Sequence, residues 1–361
     1  MKSRLHGAQN KKASSTLSTS VRLVRRIDHA TVFSGCQDGI VSAMSVSSPL
    51  SLCILTPSYR GDLAQFAVLR ESIRAFAPEI PHIALVHTED YHRFHRRFQS
   101  ERNLEIIQTA DVLPREIERR RRKSGPKWLT SNWFGGRQIK GWHAQQLGKI
   151  FALAALRYEA ALFVDSDVFI CRPLQARDFY VGNRLKLFRQ RAINAEQLDF
   201  DISTHDLLGH QLHAVTDFFD YIFHPACFRR STAIRLLDEL VRRRGSESKW
   251  LRKFLQERRP SEYNLLGYAA NILEGRMNYE LVECEPTELH HSVRFPEDRG
   301  RFEQEMRHML TQPKQFALIQ STVGIDPERI AAALRGLLGN RSAGHENASA
   351  SANGLCGASV P

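Results

Sequence analysis

Residues 161–174 constrain the fold of this chain more than any other stretch: Ala-Leu-Phe-Val-Asp-Ser-Asp-Val-Phe-Ile-Cys-Arg-Pro-Leu. The apolar run Ala161 to Val164 stops at two carboxylates one residue apart, and a second apolar run, Val168 to Ile170, follows at once. A short, uninterrupted apolar run reads as a strand buried on both faces, as in a parallel sheet. Open α/β sheets bind ligands outside the carboxyl ends of their strands. That is where Asp165 and Asp167 leave the core. Two oxygen ligands so placed suit a divalent ion that shares its remaining positions with phosphates. Asp-x-Asp also occurs as a plain strand-ending turn, but the hydrophobic flanks on both sides weigh against that reading here.

The same alternation of short apolar runs and amphipathic stretches extends in both directions. Leu52 to Leu55 predicts a first strand, followed by a turn over Thr-Pro-Ser-Tyr-Arg-Gly-Asp (56–62). A helix with Leu63, Phe66, Ile73 and Phe76 on one side comes next, ended by Pro78 and Pro81. His82 to His87 predicts a second buried strand and Glu105 to Thr109 a third, while 114–140 reads as basic and irregular. A helix from about Gly141 to Tyr158 leads into the strand that ends at Asp165. This order makes βαβ units and hence a mostly parallel sheet. Further on, the spacing of Ala233, Leu236, Leu237, Leu240 and Val241 predicts a helix over 228–243. Ser261 is placed to cap another helix, Phe316 to Gln320 reads as a late strand, and Asp326-Pro327-Glu328 opens a last helix closed by Gly339. The expected fold class is α/β, a mixed but mostly parallel sheet flanked by helices in one domain over 49–339. Residues 1–48 and 340–361 lack periodicity and are expected to be disordered, with Met44 a candidate start of translation.

Composition narrows the class. The 361 residues are 42% hydrophobic and 25% charged, which suits a globular protein. No stretch reaches the roughly 18–20 apolar residues of a membrane span, and the basic N-terminus lacks the apolar core of a secretory signal. The six cysteines are scattered with no Cys-x-x-Cys pair, which argues against a zinc site or disulfide framework and suits a reducing cytoplasm. The net charge of +12 is sharpest at Arg119-Arg120-Arg121-Arg122-Lys123. That cluster reads either as a solvated face or as peripheral contact with an anionic membrane. Nucleic acid is disfavoured, because no aromatic residues interleave the cations and no nucleic-acid module surrounds them.

Five segments in order carry a resemblance: Leu-Thr-Pro-Ser-Tyr-Arg-Gly-Asp (55–62), Gly-Trp-His-Ala-Gln-Gln-Leu-Gly-Lys (141–149), Val-Asp-Ser-Asp-Val (164–168), Ser-Glu-Tyr-Asn-Leu-Leu-Gly (261–267) and Ile-Gln-Ser (319–321). Over roughly 50–338 the chain resembles a bacterial family of GT-A-like nucleotide-sugar glycosyltransferases, some of them polysaccharide-related. The resemblance implies transfer of a sugar from a nucleotide-sugar donor to a glycan or lipid-linked acceptor, with Mn²⁺ or Mg²⁺ as cofactor. It implies a donor site drawn from Thr56, Pro57, Ser58, Tyr59, Asp62, Gln145, Gln146, Lys149, Asp165 and Ser166, with Trp142 and His143 near it. Tyr59 would stack on the base, Thr56 would hydrogen-bond it, and Asp62 would bind base or ribose or else cap the next helix. Lys149 would neutralise a phosphate and Gln146 would hold the donor sugar. Asp165 would face sugar or ribose, while Asp167, with Asp165, would bind the metal. A late histidine, His291 rather than its neighbour His290, would complete the metal site. Glu262, at a helix start, would be the base acting on the acceptor hydroxyl, or simply a first-turn acid suited to the helix dipole. Retention or inversion stays open. The competing readings are a basic nucleic-acid- or membrane-binding protein, a sugar-nucleotide pyrophosphorylase, disfavoured by the single glycine after the first strand, and a GT-A fold without activity.

Overall fold

Leu52–Ser58 (β1) is buried at all seven positions, so it needs a neighbour on either side, and the sheet grows outward from it. In the computed structural model the described residues are 51–123, 128–129, 139–211, 217–223, 225–282, 287–290, 304, 306–308, 314–319 and 325–336. They belong to the unit Val46–Pro361. The expectations for 1–48, Met44, Gly339 and the tail from 340 lie outside the described residues.

On one side β1 pairs in parallel with His82–Val86 (β2), reached through the helix Leu63–Phe76 (α1). The helix Tyr91–Phe98 (α2) leads on to Leu104–Gln108 (β3), parallel again. On the other side β1 pairs in parallel with Ala160–Phe163 (β4), which follows the helix Gly141–Ala155 (α4). Ala226–Arg229 (β7) closes this edge antiparallel, with Ala226 opposite Phe163. The order β7-β4-β1-β2-β3 is the mixed, mostly parallel sheet the alternation implies. Its core is dense in aliphatic and aromatic side chains, Ile54, Leu55, Leu162, Phe163 and Phe228 among them.

The first strand runs three residues longer than the apolar pattern suggests, through Thr56, Pro57 and Ser58. Proline is tolerated there because pairing with β4 stops at Leu55 opposite Phe163, so the missing N–H removes no bond of that ladder. The stretch after β3 is also more regular than expected. Arg115–Lys123 (α3) is a helix. Glu116 sits in its first turn, where the helix dipole favours an anion, and its basic run fills the last turn, where the dipole favours cations.

Beyond β4, Val168–Ile170 (β5) turns into a second, three-stranded sheet with Thr287–His290 (β9) and Phe316–Ile319 (β10). Arg184–Phe188 (β6) and Tyr279–Val282 (β8) form the parallel core of a third. The helix Ala195–Leu208 (α5), without a clear apolar stripe in the sequence, is capped by Asn194, which accepts from the Gln197 amide. Arg230–Arg244 (α6) ends at Gly245, whose φ of 81° a residue with a side chain adopts only under strain. Glu247–Gln256 (α7) and Glu262–Tyr268 (α8) complete the helical layer, each opened by a serine that accepts a backbone amide, Ser246 and Ser261. Residues 327–336 are helical, and Asp326 accepts the Glu328 amide at 3.0 Å, as its position as a cap requires.

Candidate active site

Strand order reverses at β1. One connection leaves it toward β2 and the other neighbour, β4, arrives from much later in the chain. Loops above the two strands diverge and open a crevice at their carboxyl ends. Residues 56–62 form one lip and Asp165-Ser166-Asp167 the other. Ser166 joins the lips. Its hydroxyl donates to the Pro57 carbonyl at 3.1 Å and lies 3.0 Å from Ser58 Oγ. The acidic turn is itself tight, with the Val168 amide donating to the Asp165 carbonyl at 3.0 Å. The Ile319 amide donates to the Asp167 carbonyl at 3.0 Å, which ties the turn to β10.

Asp62 completes an acidic group. Burial, then Asp167, then Asp165 push its carboxyl up to about 7. It occupies the cap position of α1 but makes no capping bond, so the cap alternative for this residue is not realised. Mutual repulsion of this kind is what a divalent cation relieves. Among the described residues no group of three His, Cys, Asp or Glu is arranged to hold a metal unaided. Two aspartates one residue apart are oxygen donors of the kind Mg²⁺ and Mn²⁺ take, one or two carboxylates with phosphates and water supplying the rest. His291 lies outside the described residues. His290 ends β9 opposite Ile319, the residue whose amide holds Asp167.

Next to the acidic turn lies a cavity of about 490 Å³ at the ends of β1, β2 and β3. That volume falls in the range of small-molecule pockets. Tyr59, Asp62, His87, Thr109, Arg121, Trp142 and Gln145 line it, with Pro57 and Ser58 at its base. The Tyr59 ring folds over Gly61, where a Cβ would come within 2.5 Å of the ring. It sits 5.7 Å from the His87 ring, and Tyr59 and Trp142 are each 37% exposed. His87 is pushed down to about 4, by burial and then by Arg121, so it is neutral near pH 7. Arg121 donates twice to Glu89, at 2.9 and 2.7 Å, and twice to Glu118, both at 2.8 Å.

Other sequence-derived candidates sit deeper. Thr56 is fully buried and its hydroxyl is 3.0 Å from His82 Nε2, so it serves the strand interior and not a base. Gln146 is buried beneath the cavity wall, while Gln145 reaches the wall itself. His143 is buried with its ring against Phe254, while its neighbours Trp142 and Ala144 reach the cavity. Lys149 lies within 2.7 Å of Asp165 Oδ1, 2.8 Å of Glu262 Oε1 and 3.0 Å of the Tyr263 hydroxyl. Burial opposes its charge, but Asp165 and Glu262 outweigh burial and hold the ammonium well above the usual lysine range. Burial raises the Glu262 carboxyl, with Lys149 pulling the other way. Lys149 is therefore not the solvated lysine, nor is Glu262 an open first-turn acid.

His87, Thr109 and Arg121 were not among the sequence-derived candidates. The carboxyl-end rule that singles out 56–62 applies equally to His87 after β2 and Thr109 after β3. Arg121 is concealed inside a run of five cations, and no signal in the run separates it from its neighbours.

Fold and cleft together define a mixed α/β protein with an acidic cleft at the switch point of its sheet. The chain belongs to the Family of unknown function (DUF6492), whose model matches residues 43–341. No curated protein matches it. Among solved structures it is distantly similar to mouse xyloside xylosyltransferase 1 in its apo form, at 7% identity and a TM-score of 0.39, over 76% of this chain and 99% of that one. Galactosyltransferase LgtC, in complex with donor and acceptor sugar analogs, is similar at 10% identity and a TM-score of 0.41, over 78% and 95% of the two chains. The mannosyltransferase Ktr4p from S. cerevisiae follows at 11% identity and a TM-score of 0.41, over 73% and 76%.

Proposed function

We propose that the protein is a metal-dependent glycosyltransferase that moves a sugar from a nucleotide-sugar donor to a glycan or lipid-linked acceptor. The observation that carries this reading is the acidic turn, Asp165-Ser166-Asp167, latched through Ser166 to the lip of a 490 Å³ cavity. A nucleotide sugar has a flat apolar base and a doubly charged diphosphate. The aromatic walls, Tyr59 and Trp142, suit the base, and the acidic turn suits the metal that accompanies the diphosphate. When bound, Mn²⁺ or Mg²⁺ would act as a Lewis acid on the leaving diphosphate, whose negative charge grows as the glycosidic bond breaks. Asp165 and Asp167 would hold that ion, with His291 as a candidate further ligand. Asp62 would orient the ribose or base from the opposite lip. Ser166 ties the two lips together, which would help hold the donor pocket and the acidic turn in register.

The acceptor side rests on the sequence resemblance, which points to bacterial surface polysaccharide synthesis in the cytoplasm. A membrane-borne acceptor would be met through the exposed cations of α3, Arg115, Arg119 and Arg122, which line a shallow groove. Arg121 takes no part in that face, being buried between Glu89 and Glu118.

The test is titration calorimetry with nucleoside diphosphates, with and without Mn²⁺. The parent is expected to bind at least one of them more tightly with Mn²⁺ present. Asp167→Ala is expected to lose that difference and keep its melting temperature. Equal metal-dependent affinity in the variant would remove Asp167 from the site, and no metal effect in the parent would end the reading.

A further inference from the structure

Lys149 reaches from α4 to the underside of the acidic turn. Its three contacts, with Asp165, Glu262 and Tyr263, match the three N–H donors of an ammonium, so none is left over for a diphosphate. Exposure separates the partners. The Lys149 and Glu262 side chains are 2% and 4% exposed, whereas Asp165 is 21% exposed. The carboxylate of Glu262 thus faces Lys149 from within the core, while Asp165 spans from the core to the cleft.

We propose that Lys149 is a positioning residue for the donor site. With Glu262 as its counter-charge, it grips one oxygen of Asp165 and so fixes the side chain with its other oxygen toward the cleft. This rests on the glycosyl-transfer reading of the cleft. The role of Glu262 follows from charge counting. A lysine alone beneath Asp165 would cancel its charge and weaken the attraction for a cation. The second carboxylate restores one net negative charge to the group from within the core. Lys149 is thereby reassigned from a phosphate contact, and Glu262 from the base acting on the acceptor. Tyr263, whose ring lies 4.6 Å from the ammonium, packs against it and shields it from water.

Lys149→Met alone would leave Asp165 and Glu262 facing each other, and its folding is at risk. The test is therefore the double variant Lys149→Met/Glu262→Leu, which removes both ends of the buried pair and replaces them with apolar groups of similar size. Two readouts are needed: its crystal structure, and Mn²⁺ affinity measured by water-proton relaxation in the presence of the nucleoside diphosphate that the parent binds most tightly. The expected result is a changed Asp165 rotamer and Mn²⁺ affinity lowered tenfold to a hundredfold, the usual effect of losing a group that orients a ligand. An Asp165 rotamer identical to the parent's, or undiminished Mn²⁺ affinity in the variant, would overturn the proposal. A parent that binds no Mn²⁺ would count against the glycosyl-transfer reading instead. The rotamer would then decide the positioning role by itself, a changed one supporting it and an unchanged one refuting it.

Discussion

Asp201 is 3% exposed, and its Oδ2 accepts the Phe219 amide at 2.8 Å. Burial pushes its carboxyl up to about 7, against about 3.9 in an unfolded chain. Between these values the folded state keeps a proton that the unfolded state has lost. The contribution of neutral Asp201 to stability is therefore complete below about pH 4 and declines as pH rises to 7. Asp201→Asn keeps an acceptor for the amide but cannot titrate. Its melting temperature should fall less between pH 5 and 8 than the parent's, and parallel profiles would refute the assignment. Thr56 poses a different problem. Its hydroxyl satisfies the buried His82 ring, which burial keeps neutral. Thr56→Val should lower stability by about 1–3 kcal/mol, the cost of an orphaned buried polar group, as read by urea unfolding. Both residues show where sequence reading stops: Thr56 lies within a motif whose neighbours reach the cavity, and only its pairing with His82 distinguishes it.

The helix α3 shows the same limit for a whole element. Its sequence, Arg-Glu-Ile-Glu followed by five cations, has too little apolar content to declare an inward face. Ile117, Glu118 and Arg121 are buried nonetheless, because the acids of Glu89 and Glu118 neutralise Arg121 inside. Arg121→Met is expected to cost about 3 kcal/mol or more by leaving Glu118 buried and unmatched. Arg122→Ser, on the exposed side, should change stability by no more than about 0.5 kcal/mol. Similar losses for both would mean the helix is held by something other than this network. Elements with strong apolar periodicity were legible by contrast. The helix α1, the strands β2 and β4, and the Ser261 cap emerge within a few residues of the sequence expectation. The antiparallel strand β7 and the helix α5 were not, since β7 runs directly into α6 and its last two residues were read as the start of that helix, and α5 mixes polar and apolar residues on all sides.

For the molecule as a whole, the parallel sheet was legible because buried strands announce themselves as short apolar runs, and the acidic turn because it breaks one. The Lys149 network was not, because a helix sequence does not say whether its lysine points inward, and one of its two carboxylate partners, Glu262, lies far along the chain. Removing residues 1–43, which show no apolar periodicity and, apart from residue 43 itself, precede the family match, is expected to leave stability within about 0.5 kcal/mol. A large drop in melting temperature would reveal packing that the pattern conceals. The position of β1 at the centre of the sheet also has a consequence for synthesis. Leu52 pairs with Ala160, so one flank of β1 stays bare until more than a hundred further residues have been made. At roughly 5–20 residues per second that interval lasts on the order of 5–20 s. Throughout it, an apolar strand with an unsatisfied edge is available to other nascent chains. Recombinant yield should therefore respond more to slowed translation or added chaperones than to any single surface substitution.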